Sequence, residues 1–288
     1  IGLLLTVATT VNAQSVTWIS STEGNVWQKS KVKLQSKSEQ NPVLQVDGTE
    51  NGVVFKNWGT TFNELCWDAL GLLTRTEQDE ILYNIFSPQG DLRITRGRIS
   101  MGANDYARSW YSCDEVEGDF ELRYFNINRD KQTIIPFIRA AQKYNPNLTF
   151  WISPWCPPSW MKINGDYPVL SSPFNSLSEK QNYLLYGATG GQVDENEMKL
   201  TDARDGVFPR QLATTDFMIQ DPRYLQTYAD YFCRFIDAYK EQGIPIDMVM
   251  YQNEAYSYTP YPGCAWIAAG TIRFNKEYLA PTLETNAS

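Results

Sequence analysis

Apolar positions along this chain change their period once. From residue 15 to about residue 55 they come in short β-type runs, "VTWIS", "VKLQS", "PVLQVDG" and "GVVFKNW", broken by Ser, Lys, Gly and Asn, a pattern that predicts edge strands of a small β module. From about residue 62 the runs lengthen to helical spacing and alternate with short apolar stretches. "FNELCWDALGLL" and "TRTEQDEILYNIF" predict two helices, the second opened by Thr74 and Glu77 in a capping-box arrangement. "DLRITRGRI" predicts a strand, "KQTIIPFIRAAQKYN" a helix closed by Asn145 and Pro146, and "LTFWISP" the next strand. "DPRYLQTYADYFCRFIDAYKEQG" is a strongly amphipathic helix stopped by Gly243, followed by the strand "IPIDMVMYQ". Strand alternating with helix predicts an α/β fold with a parallel sheet, which a barrel or a doubly wound sheet satisfies equally.

Two stretches lie outside this alternation. The opening "IGLLLTVATTVNAQ" has the apolar core of a signal peptide and, with Val11 and Ala13, a small-residue cleavage site. Export is therefore expected, to a secreted, periplasmic or cell-surface location. The run is too short for a transmembrane segment. Residues 170–220 are long and polar, with Gly190 and Gly191 beside "DENE", and are expected to form a solvated surface insertion, the alternative being a lid over a cleft.

Composition narrows the function classes. The chain has 288 residues, 42% of them apolar and 14% aromatic, with a net charge of −8, so it suits a globular protein and is a poor partner for nucleic acid or anionic membranes. It contains no histidine, which removes the usual general base, the usual activator of a nucleophilic Ser or Cys and the commonest zinc ligand. The five cysteines are dispersed with no CxxC pair, and are expected to be buried free thiols, or one disulfide with the rest free. No metal is expected. Neither GxGxxG after a strand nor GxxxxGK occurs, so no nucleotide cofactor is expected either.

The chemistry gathers in the loops after the strands. "SMGANDYARSWYSCDE", "SPWCPPSWMKINGDY" and "QNEAYSYTPYPGCAW" are each rich in Trp, Tyr, Asn or acid. In a β/α barrel such loops emerge on one rim, where active sites are built. Rings for stacking sugar faces, with amides and acids for hydroxyls, predict a cleft for an oligosaccharide, polysaccharide or other glycoside; Trp155 and Tyr256 are candidate binding rings. The last loop poses the sharpest question. Met248 to Tyr251 form an apolar run expected to be buried, and it ends on Gln252, Asn253 and Glu254.

"SPWCPPSWMK", followed about ninety residues later by "QNE" at a strand end and with "FNINRD" between the first two aromatic loops, resembles glycoside hydrolase family 30, which contains glucosylceramidases and β-glycanases. The similarity runs from about residue 55 to the C-terminus. It implies a (β/α)8 TIM barrel, incomplete in this chain, over residues 55–288, and a small β-sandwich side domain to which residues 15–54 contribute after the 1–14 leader. It also implies a retaining β-glycosidase in which Glu254 is the general acid/base. Asn253 would bind a sugar hydroxyl near the scissile bond, and Arg98 would brace the active-site carboxylates. Asp105 and Trp160 would form the grip and wall of the sugar subsite beyond that bond. Ala255 stands where the family usually has proline, and "NWGTTFNEL" matches the family's first barrel strand too loosely to carry residues over. The family's second catalytic glutamate, the nucleophile, is expected beyond Ser288. The alternative is a non-catalytic carbohydrate-binding or scaffold protein that keeps the cleft.

Overall fold

The computed structural model describes residues 15–33, 52, 56–177, 216–255 and 257–286. The chain divides into two compact units, residues 1–55 and 56–288. In the first unit, β1 (Ser15–Thr22) and β2 (Asn25–Lys33) form an antiparallel hairpin whose register runs from Ser15 opposite Lys33 to Ser20 opposite Gln28. Gly24, at φ +80°, takes the left-handed position of the turn, where a side chain is disfavoured. Of the expected strand "VKLQS", Val32 and Lys33 belong to β2, which starts seven residues earlier than predicted, at Asn25, and its other three residues lie outside the described ones. "PVLQVDG" and the leader lie outside the described residues, and the described part of "GVVFKNW" is not a strand.

The second unit is built on a parallel sheet of β3 (Gly59–Phe62), β4 (Arg96–Ser100), β5 (Thr149–Ser153) and β6 (Ile246–Val249), hydrogen-bonded in sequence order. Helices α1 (Glu64–Gly71) and α2 (Arg75–Phe86) connect β3 to β4, α3 (Ile134–Gln142) connects β4 to β5, and α4 (Pro222–Glu241) connects β5 to β6. After β6 come α5 (Ala268–Arg273), a π-helical turn and α6 (Ala280–Asn286). A doubly wound sheet would reverse strand order about its first strand. The unbroken order seen here is the winding of a β/α barrel, although the four described strands do not close one.

Local sequence accounts for the helix boundaries. The Asn63 side chain caps α1 by accepting from the Cys66 amide at 2.9 Å. Thr74 and Glu77 form the expected capping box on α2, the Thr74 amide donating to Glu77 at 2.8 Å. Asp221 caps α4 with Pro222 in its first turn, and Gly243 follows its end at φ +73°.

Register assigns the two faces of the sheet, since paired residues share a face. Phe62, Ile99, Ile152, Phe150 and Gly97 turn toward the helices; Thr61, Arg98, Trp151 and Met248 occupy the opposite face. On the helix side, Phe62 meets Phe137 edge-on at 4.7 Å and Phe86 stacked at 5.6 Å. Gly97 makes this packing possible: a Cβ there would lie 2.5 Å from Phe62 and 2.9 Å from Phe150. Under α4, Tyr228, Phe232, Trp266 and Phe274 form a second ring cluster. Among the described residues, many of the aromatic side chains are therefore core.

Two expectations about the last strand need correction. β6 ends at Val249, and Met248 and Met250 are 41% and 47% exposed. The reason is its position: among the described residues β6 pairs only with β5, so it is an edge strand. An apolar run alone does not distinguish an edge from a centre. All five cysteines are free, four of them buried and Cys66 exposed.

Candidate active site

At the C-terminal ends of β3 to β6 the loops enclose a cleft of about 250 Å³ lined by Thr61, Asn63, Arg98, Asn104, Asp105, Tyr106, Trp155, Asn253, Glu254 and Tyr261. Arg98, on β4, is its floor. Its Nη2 donates to Asn253 Oδ1 at 2.6 Å and to Ser153 Oγ at 3.0 Å. The guanidinium lies 4.1 Å from the Trp155 ring centre and 5.0 Å from that of Trp151. Stacking of this kind suits a planar, weakly hydrated cation. Burial lowers the Arg98 pKa, and the charges of Asp105 and Glu254 oppose that shift. One cation thus faces two carboxylates across the cleft.

Asp105 stands in the loop after β4, shaped by Gly102 at φ +83° and by the Asn104 side chain accepting from the Tyr106 amide at 2.7 Å. Desolvation raises its pKa, while the hydrogen bond from its own amide and the Arg98 charge act in the other direction. Tyr261, in the loop after β6, has its pKa raised by desolvation and then by the charges of Glu254 and Asp105. Its phenol therefore stays protonated and able to donate at neutral pH.

Glu254 has its backbone in the left-handed region, φ +48°, which non-glycine residues seldom adopt. The neighbouring Asn253 amide donates to Pro154 O at 2.8 Å, joining the β5 and β6 loops, and the Ser257 amide donates to Glu254 O at 2.9 Å. The Glu254 side chain is exposed at the mouth of the cleft. The burial expected of an acid catalyst is thus absent from this arrangement.

Of the residues singled out from sequence, Glu254, Asn253, Arg98, Asp105 and Trp155 meet in the cleft. Trp160 does not. It is 9% exposed, its indole donates to Asp114 O at 3.0 Å, and it packs edge-on against Phe120 at 5.4 Å. The short 3-10 turn at Ser159–Met161 directs it into the core. Tyr256 lies outside the described residues, as do residues 178–215 of the polar stretch. Thr61 and Asn63 were missed, though "GTTFNEL" carries the same signal as "QNE", polar groups at the end of a strand. Asn104, Tyr106 and Tyr261 sit in loops already singled out, but nothing in their spacing ranked them. Among the described residues, no group of three or more carboxylate or thiol side chains is placed to hold a metal ion.

The site is thus a cleft at the C-terminal ends of a sequentially wound parallel sheet, in which two carboxylates face one part-buried arginine. Residues 55–172 match the glycosyl hydrolase family 30 TIM-barrel domain, so the resemblance to that family holds over this stretch. The chain is 29% identical over 269 residues to putative glucosylceramidase 3 of Caenorhabditis elegans, covering 90% of this chain and 42% of that protein. It is 25% identical over 252 residues to the endo-1,6-beta-D-glucanase neg1 of Aspergillus fumigatus, covering 85% of this chain and 45% of that protein. The crystal structure of SrfJ from Salmonella typhimurium superposes with a TM-score of 0.63 at 18% identity, over 93% of this chain and 50% of that one, and shows the same fold. The chain thus spans less than half the length of both curated relatives.

Proposed function

We propose that the protein is a secreted retaining β-glycosidase acting on β-glucosides, with Glu254 as general acid/base. The supporting observation is Glu254 at the cleft mouth, beside an asparagine held by the arginine that also faces Asp105. A cavity of about 250 Å³ suits a single sugar ring. The names of the relatives, a glucosylceramidase and a 1,6-β-glucanase, favour a glucosyl residue. The "IGLLLTVATTVNAQ" leader supports export.

In this reading Trp155 and Tyr106 bracket the sugar while Asn253, oriented by Arg98, binds a hydroxyl. Asp105 and Asn63 take further hydroxyls. Glu254 protonates the departing oxygen and then deprotonates the water that resolves the glycosyl intermediate. Its partner in a retaining mechanism is a carboxylate about 5 Å away that attacks the anomeric carbon. Asp105 is assigned to sugar binding and not to that attack.

The test is Glu254→Gln, which keeps shape and removes the proton. Hydrolysis of an alkyl β-glucoside should fall by several orders of magnitude, since positioned acid–base catalysis contributes about 10²–10⁴-fold per step. A dinitrophenyl β-glucoside needs little protonation, so its first step should persist, and azide should restore turnover with formation of a β-glycosyl azide. An α-configured azide product, or full activity of the variant on the alkyl glucoside, would overturn the assignment. Sugar binding by a wild-type protein that hydrolyses none of these glycosides would favour the carbohydrate-binding alternative.

A further inference from the structure

Gln252 lies immediately before the two residues assigned to the reaction, and no role in the cleft accounts for it. It is 4% exposed and does not line the cavity. Its amide nitrogen donates to Trp155 O at 2.6 Å and to Asn253 O at 2.8 Å, and its amide oxygen accepts from Trp266 Nε1 at 3.2 Å. One buried side chain therefore bonds the β5 loop, its own loop and the ring that packs against Tyr251 at 5.6 Å. Two backbone bonds flank it, Asn253 N to Pro154 O and Trp266 N to Ala255 O, both at 2.8 Å. Between these fixed points stands Glu254 in its left-handed conformation. Such a backbone persists where its surroundings over-determine it.

We propose that Gln252 is a positioning residue: by tying the Trp155 carbonyl, the Asn253 carbonyl and the Trp266 indole together, it holds Glu254 where it can protonate the departing oxygen. This rests on the glycosidase reading above. The chemistry selects glutamine specifically, because two carbonyls demand donors on one side and an indole N–H demands an acceptor on the other. Leucine fills the volume without either. Glutamic acid satisfies a carbonyl and the indole while protonated, but as a carboxylate it faces two carbonyl oxygens.

The test compares Gln252→Leu and Gln252→Glu with wild type on dinitrophenyl and alkyl β-glucosides, reading kcat/KM, which reports the glycosylation step. For Gln252→Leu we expect a fall of about 100-fold on the alkyl glucoside, the scale of an ångström-sized misplacement. On the dinitrophenyl glucoside the fall should be less than fivefold or so, because its departure needs little acid. Gln252→Glu should approach wild type near pH 4 and lose activity relative to it as the pH rises and its carboxyl ionises. The Trp266 indole N–H resonance should shift in Gln252→Leu irrespective of any activity. Equal losses on both substrates, a pH-independent ratio for Gln252→Glu, or an unmoved Trp266 resonance would each refute positioning through this network. If Gln252→Leu does not fold, the pH dependence of Gln252→Glu decides. A wild-type protein inactive on both glucosides contradicts the glycosidase reading, and the Trp266 resonance with the Gln252→Glu unfolding profile then tests the clamp alone.

Discussion

Replacing Asp130 by asparagine should remove a pH dependence of stability whose size follows from the structure. Asp130 is fully buried and accepts from Tyr111 Oη and Tyr239 Oη, each at 2.6 Å. Burial pushes its pKa from 3.8 up to about 6, the two tyrosine bonds and the Arg129 charge opposing this and the Glu64 charge adding to it. The folded protein therefore binds this proton more tightly than the unfolded chain. The resulting stability is fully present below about pH 3.8 and is lost as the pH rises through about 6. At about 1.4 kcal/mol per pKa unit the loss is about 3 kcal/mol. Urea unfolding followed by tryptophan fluorescence, at intervals from pH 4 to 8, measures it. The stability of wild type minus that of Asp130→Asn should decline by about 2.5 kcal/mol over this range, the remainder being already lost at pH 4, because asparagine does not titrate while neighbours such as Glu64 and Asp114 titrate in both proteins. A difference that is flat with pH, or that grows with it, would refute the argument. The consequence reaches the cleft, since Tyr111, whose hydroxyl donates to Asp130, also accepts the Ala103 amide at 2.8 Å through its backbone carbonyl and so braces the loop of Asn104 and Asp105.

Gly97→Ala should cost about 1–3 kcal/mol in thermal or urea unfolding, because its Cβ would enter the Phe62 and Phe150 rings. Trp160→Phe keeps the ring contact with Phe120 but orphans the Asp114 carbonyl; it should lose about 1 kcal/mol of stability and leave KM unchanged. Trp155→Ala, by contrast, removes a cleft wall and the ring beneath Arg98, and should raise KM for a β-glucoside about tenfold, the equivalent of about 1.4 kcal/mol. Reversal of these two tryptophan results would show that the cleft is assigned to the wrong ring.

Much of this molecule is written in local signals. Capping by Thr74 and Glu77, the Pro222 start and Gly243 stop of α4, and the strand–helix alternation act within a few residues of themselves, so spacing alone exposes them. Glu254 and Asn253 were visible for the same reason, as polar groups next to a predicted strand end, whereas Arg98 and Asp105 were singled out only through the resemblance to glycoside hydrolase family 30. Long-range geometry was not visible. Trp155 and Trp160 share one loop and one residue type, and only the turn between them sends one to the cleft and the other against Phe120. The apolar run of β6 was expected to be buried, yet whether a strand has one neighbour or two is a property of the sheet. Gln252 makes the point most directly: its partners Trp155 and Trp266 lie 97 and 14 residues away. Sequence places an amide beside a carboxylate, and only the folded chain brings to it the carbonyls and the indole that determine what the amide does.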